Sequence, residues 1–212
     1  MTLTSKLTPK LTPKGAATRS RIVEAAADLM FVRGVAGTTL EHVRDEAGVS
    51  SSQVYHYFAD KDALVRAVID YQNDAVVGAQ EDVFARLDSV AALRAWRDEV
   101  IAHQDRMNCM GGCPIGALGS QLGELDYDAR RGVAQGFHRW QAAILHGFRS
   151  MQENGTLPAT VDTESLATAM LASLQGGLLL CQLHRSTDPL RAAMDTMIDH
   201  VAYLAVSSPP TR

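Results

Sequence analysis

Much of what a functional class would require is missing from these 212 residues. There is no H-E-x-x-H, no G-x-S-x-G, no phosphate-binding loop and no dinucleotide fingerprint, so nothing argues for an enzyme. Gly116-Ala117-Leu118-Gly119-Ser120 has the wrong spacing for a nucleophile elbow. No segment alternates apolar and polar residues as a half-buried strand does, and the chain reads as all-α. Cysteine is scarce and odd in number, three in a chain long enough to bury a core, which points to a reducing cytoplasm rather than a disulfide scaffold. Met1 to Ala17 is polar without an apolar h-region, so no signal peptide is expected. One stretch, Ser165 to Leu183, is free of charge for 19 residues but carries Thr168, Ser173, Gln175, Gln182 and Gly176-Gly177. It reads as a helix held between its own domain and a partner subunit, not as a membrane span.

Lysine is also sparse. All four (Lys6, Lys10, Lys14, Lys61) fall early in a chain of net charge −4. Residues 1–64 hold eight Lys/Arg against seven Asp/Glu, and residues 65–212 twelve against seventeen, so the basic share lies at the N-terminal end. Distribution matters more than the sum for a nucleic-acid partner.

What is present is helical periodicity. Residues 1–17, with Leu7-Thr8-Pro9-Lys10 repeated as Leu11-Thr12-Pro13-Lys14, read as a disordered basic arm. A first helix is expected from about Thr18 to Arg33, with Ile22, Ala25, Ala26 and Leu29 on one face and Gly34 as its stop. A fourth runs from Asp60 to about Arg86, a fifth from Ser89 to Met107, and a sixth from Pro114. A seventh spans Tyr127 to Glu153, and the last two run from Thr163 to His184 and from Pro189 to Val206. The final helix carries a stripe of Leu190, Ala193, Met194, Met197, Ile198, Val201, Leu204 and Ala205. These last two helices are expected to meet their copies in a homodimeric four-helix interface.

Between Gly37 and Asp62 lie two short helices. Thr38 with Glu41 and Ser50 with Gln53 have the spacing of capping boxes, and Gly48 supplies the turn. Leu40, Val43 and Ala47 face inward from one helix, Val54 and Phe58 from the other. Ser51, Ser52, Gln53, Tyr55, His56 and Tyr57 are left outside, with no carboxylate from Ala47 to Ala59. Hydroxyls, amides and aromatic edges without negative charge suit phosphate oxygens and base edges. Lys61 adds a charge beside the free N–H groups of a helix start. A helix-turn-helix sets such a second helix into the major groove.

Residues 18–64 resemble the DNA-binding domain of the TetR family of tetracycline-repressor-like regulators. The match runs through Ile22, Ala25, Ala26 and Leu29; Gly34; Thr38 and Thr39; Ala47-Gly48-Val49-Ser50; Tyr55, His56, Tyr57 and Phe58; and Lys61 and Leu64. The resemblance implies a three-helix DNA-binding domain at 18–64 and a helical ligand-binding and dimerisation domain at 65–212. It implies phosphate contacts from Thr38 or Thr39, Tyr55 and Lys61, with Ser51, Ser52, Gln53 and His56 nearest the bases; Ser50 and Tyr57 complete the candidate surface. Met30 and Ser52 depart from the usual Phe and Gly. The implied function is a repressor that binds double-stranded DNA and is released by a small-molecule effector, though the family also includes activators.

Candidate effector contacts are large side chains on the C-terminal helices: Trp96, His103, Met107, Phe137, Trp140, Phe148, Met170 and Gln175. Each is also what ordinary core packing would use. Such a pocket suits an apolar or aromatic, largely uncharged molecule. The segment Gly112-Cys113-Pro114-Ile115-Gly116 resembles a subgroup of the family that includes flavonoid-responsive repressors, which implies a polyphenol-like effector. A second reading makes Cys113, at a helix start, an activated thiol with Cys109 as resolving partner. Close packing by small residues is the third. No cofactor or metal is expected, because only two thiols lie close and no further ligand accompanies them.

Overall fold

The computed structural model describes residues 11–122 and 126–206, and it divides into two compact units, residues 1–71 and 72–212. Every regular element among the described residues is helical.

In the N-terminal unit, α1 (Pro13–Arg33) begins five residues earlier than its apolar periodicity suggests. Thr12 is the N-cap, its side chain accepting from the Gly15 N–H at 3.2 Å, and Pro13 occupies the first turn, where its missing N–H costs nothing. Residues 13–17 of the expected arm are therefore helix, and residues 1–10 lie outside the described residues. Ile22, Ala26 and Met30 are almost fully buried, as are Val43, Val54, Phe58 and Leu64 on the following helices and the turn between them.

α2 (Leu40–Ala47) and α3 (Ser51–Tyr57) each start with a closed capping box. The first is not the one its spacing suggests. Thr39, not Thr38, is the N-cap, and His42 rather than Glu41 closes the box: the His42 N–H donates to Thr39 Oγ1 at 3.2 Å and the Thr39 N–H to His42 Nδ1 at 3.3 Å. Thr38 is buried, its hydroxyl donating to the Gly34 carbonyl at 2.9 Å. Gly48 takes φ +61°, and its N–H reaches the carbonyls of Arg44 and Asp45. Thr39→Ala is expected to lower stability by about 1 kcal/mol in urea denaturation. Glu41→Ala should change it by only about 0.3–0.5 kcal/mol, through the helix dipole alone.

The expected long fourth helix is broken. α4 (Lys61–Asn73) passes into a π-helical turn, Asp74–Gly78, and then a single turn, α5 (Glu81–Phe84). Gln80 accounts for the break. Its Nε2 donates to the Val76 carbonyl at 2.7 Å, while its Oε1 accepts from Trp96 Nε1 at 2.9 Å. At the head of this turn Asn73 Nδ2 donates to the Gly132 carbonyl at 3.0 Å. A Cβ on Gly136 would stand 1.9 Å from Asn73 Oδ1, so only glycine admits the approach.

The rest of the C-terminal unit is a bundle of α6 (Val90–Arg106), α7 (Pro114–Leu122), α8 (Tyr127–Glu153), α9 (Thr163–His184) and α10 (Asp188–Val206). α10 packs on α9 and α6, and α8 on α9 and α7. Leu190, Met194, Ile198 and Val201 of α10 are fully buried in this bundle. Half of the expected interface stripe is thus packed within its own subunit, against the α9 and α6 side of α10, while Ala193, Met197, Leu204 and Ala205 are only half-buried. Arg94–Asp199 and Arg97–Asp195 ion pairs clip α6 to α10 at the rim. α9 is long and apolar enough to cross a membrane by length and composition, but Leu166, Ala167, Met170, Leu174, Leu178 and Cys181 are buried by its neighbours.

Candidate functional site

The surface of α3 has the chemistry its sequence suggests. Ser51, Ser52, Gln53, Tyr55 and His56 are exposed, Tyr55 at 61%. Val54 and Phe58 are buried beneath them, and Arg19 covers the Phe58 ring at 5.3 Å. Several of these side chains are already engaged. Gln53 Oε1 accepts from the Ser50 N–H at 2.9 Å, which leaves the two donors of its Nε2 for another partner. Ser50 and Ser52 share a hydrogen bond of 2.9 Å between hydroxyls. Tyr57 is half-buried, its ring edge-on to His56, and a Cβ on Gly15 would lie 3.4 Å from its hydroxyl oxygen, so it faces the start of α1.

Burial removes Thr38 from the phosphate-contacting candidates, whereas Thr39 is exposed. Lys61 opens α4 and is half-buried. Asp60 precedes it and accepts from the Ala63 N–H at 2.7 Å, so one donor of that helix start is taken.

The C-terminal unit holds a cavity of about 640 Å³. One wall is the π turn and the residues after it, from Ala75 to Gln80; α6 supplies a second from Trp96 to Arg106. Gly112 to Pro114, Trp140, Leu174 and Leu178 close the rest. Of the eight candidate effector contacts, Trp96, His103 and Trp140 line it. Phe148 and Met170 are fully buried in the core, Met107 is exposed at the end of α6, and Phe137 and Gln175 lie outside the lining. Sequence reasoning missed Gln80, Val100, Gln104 and Cys113 as cavity residues. Their polar or small side chains at helical spacing gave no sign of which way they faced.

Cys109, Cys113 and Cys181 are all free thiols, and all three are buried. Cys113 lies at the start of α7, where the Gly116 N–H donates to its sulfur at 3.4 Å. Burial nevertheless pushes this thiol above its ordinary range, outweighing the hydrogen bonds from Gly116, Ile115 and Gln175. The thiol is thus the weakly nucleophilic form, the reverse of an activated cap cysteine. Cys109 has Cys181 beside it, and burial pushes the Cys181 thiol up to about 11. Among the described residues no group of His, Cys, Asp and Glu could hold a metal ion.

Residues 22–68 match the family model described as bacterial regulatory proteins, tetR family, and residues 89–197 match the tetracyclin repressor-like C-terminal domain. The transcriptional regulator AcuR of Cereibacter sphaeroides is 25% identical over 91% of this chain and 89% of its own. The transcriptional repressor DhaR of a Mycobacterium species is 26% identical over 81% of this chain and 86% of its own. A crystal structure of a TetR regulatory protein from Rhodobacter sphaeroides superposes with a TM-score of 0.77 at 24% identity, over 86% of this chain and 98% of that one.

Proposed function

Because the chain belongs to the TetR family of bacterial transcriptional regulators, we propose that it is a repressor that holds a palindromic operator as a homodimer and releases it when a small, largely apolar molecule fills the cavity. The chain is a DNA-binding regulator and not an enzyme. The carrying observation is the α3 face: exposed hydroxyl, amide and aromatic groups without a carboxylate, on a helix fixed by a capped turn. Thr39, Tyr55 and Lys61 are assigned to phosphates, and Ser51, Ser52, Gln53 and His56 to base edges. The chain works in the cytoplasm.

The dimer contact lies on α9. Ala169, Ala172, Gly176, Leu179 and Leu183 form one exposed stripe at three-and-four spacing, with Leu180 beside it and Tyr203 exposed on α10. A Cβ on Gly176 would meet nothing within 4 Å, so small residues at one end leave room for a second helix.

Effector control follows from chain order. The π turn that walls the cavity continues directly from α4, whose first residue is Lys61. A ligand that binds the released form a hundredfold more tightly supplies about 2.7 kcal/mol of coupling. The thiol-switch alternative is disfavoured by the burial of Cys113.

A mobility-shift titration with the DNA upstream of its own gene tests this reading. Tyr55→Ala and Lys61→Ala are expected to weaken binding to all sequences, and Lys61→Ala to lower the salt slope by about one unit. Gln53→Ala and His56→Ala should change base preference at a cost of about 1–3 kcal/mol. Val100→Phe, which narrows the cavity, should leave operator affinity intact and block release. Four α3 and α4 variants with unaltered binding would refute the assignment, and release by diamide would favour the thiols instead.

A further inference from the structure

Two polar atoms in the cavity wall have no partner, and they are complementary. Trp140 Nε1, which can only donate, and Gln104 Oε1, which can only accept, are both buried without a hydrogen bond. Their residues are 3% and 5% exposed, and both line the cavity. Among the described residues, Asn73 Oδ1 is also unpartnered but belongs to a residue outside the lining, and Gln175 Nε2, likewise outside it, has the Cys113 thiol as its neighbour. The second tryptophan offers a contrast, since the Trp96 indole N–H is satisfied by Gln80. Buried polar groups in folded proteins are nearly always paired, and each orphan carries a desolvation penalty until something pairs it. In a wall facing a cavity of about 640 Å³, that partner arrives with whatever fills the space.

Charge limits the ligand further. The charged groups of the lining, Glu99 and Arg106, sit with His103 on the exposed side of α6, at the rim. No ionisable side chain of the lining other than Cys113 is buried, and that thiol is held neutral. An ionised ligand group drawn inward would be desolvated without a counter-charge.

We propose that the effector is a neutral hydroxy-carbonyl compound with an apolar body, its carbonyl oxygen accepting from Trp140 Nε1 and its hydroxyl donating to Gln104 Oε1. This rests on reading the cavity as the effector site. A site built to hydrogen-bond a substrate group rejects the analogue lacking it, because its own polar group is then left buried and unpaired.

Calorimetric titration of the full chain with four matched probes tests the proposal. 4-Hydroxybenzophenone carries both groups, 4-methoxybenzophenone lacks the donor, 4-benzylphenol lacks the carbonyl, and 4-benzoylbenzoate adds a carboxylate. The hydroxy-ketone is expected to bind at least tenfold more tightly than any of the other three. Gln104→Leu should abolish its preference over the methoxy analogue only, and Trp140→Phe its preference over 4-benzylphenol only. Gln104→Leu without ligand should melt no lower than the parent chain, since it deletes an orphaned acceptor; a residue kept for packing would melt lower and leave the preference intact. Equal affinities, no binding by any probe, strongest binding of the carboxylate, or preferences that survive both substitutions would overturn the proposal. Operator release is scored separately. Selective binding without release would sink the induction reading and leave the ligand class standing, and release by an unrelated compound with no selectivity here would do the reverse.

Discussion

Leu179→Glu combined with Leu183→Glu is expected to yield a monomer whose operator affinity is lower by a factor on the order of 10²–10⁴, the range in which a linked second site contributes. The two leucines are 56% and 67% exposed and lie one turn apart on α9. Each Glu would bring an unpaired carboxylate into a dry contact, once from each subunit, at a cost of several kcal/mol per charge. Two half-sites about one helical turn apart are held tightly only if both recognition helices are presented together. Light scattering behind a sizing column reads the mass, and a mobility shift reads the affinity. Val32→Glu, at an exposed apolar position on α1, should alter neither. A double variant that remains dimeric would place the interface elsewhere.

Val201→Glu is expected to do something different, which is to unfold the C-terminal unit. Val201 is fully buried on α10, which packs against α9 and α6. A carboxylate there has no partner, and its burial would consume much of the 5–15 kcal/mol that separates folded from unfolded domains. The milder Leu190→Ala should cost about 2–5 kcal/mol, because it opens a void where α9 and α10 approach closely. A Cβ on Gly177 would stand 2.8 Å from the Leu190 Cα, which shows how tight that crossing is. Loss of the cooperative thermal transition in circular dichroism is the readout. A Val201→Glu chain that melts normally but runs as a monomer would place the Val201 face of α10 in the interface.

These two variants separate faces that look alike in sequence. The amino-acid order by itself determined the local features of this protein: the helix-turn-helix spacing, the Gly48 turn, the Ser50–Gln53 capping box and the uncharged α3 face. Each depends on residues within a few positions of one another, where side-chain chemistry and backbone geometry act directly. Even there a one-residue choice escaped it. Thr38 and Thr39 are equally good caps on paper, and what separates them is the burial of Thr38 under the carbonyl of Gly34.

Tertiary structure decided the rest. Periodicity says that a stripe will be covered but not by what: Leu190, Met194, Ile198 and Val201 of the α10 stripe are covered within the subunit, while Ala193, Met197, Leu204 and Ala205 are only half-buried. The fourth helix lost its continuity because Gln80 satisfies a carbonyl of the π turn and an indole 16 residues away at once. Trp140 faces the cavity while Phe148, two turns along the same helix, is core, and Cys109 has Cys181 beside it, from 72 positions along the chain. Such outcomes turn on contacts between residues tens of positions apart, and on which buried polar atoms find a partner, and neither is written in any local pattern.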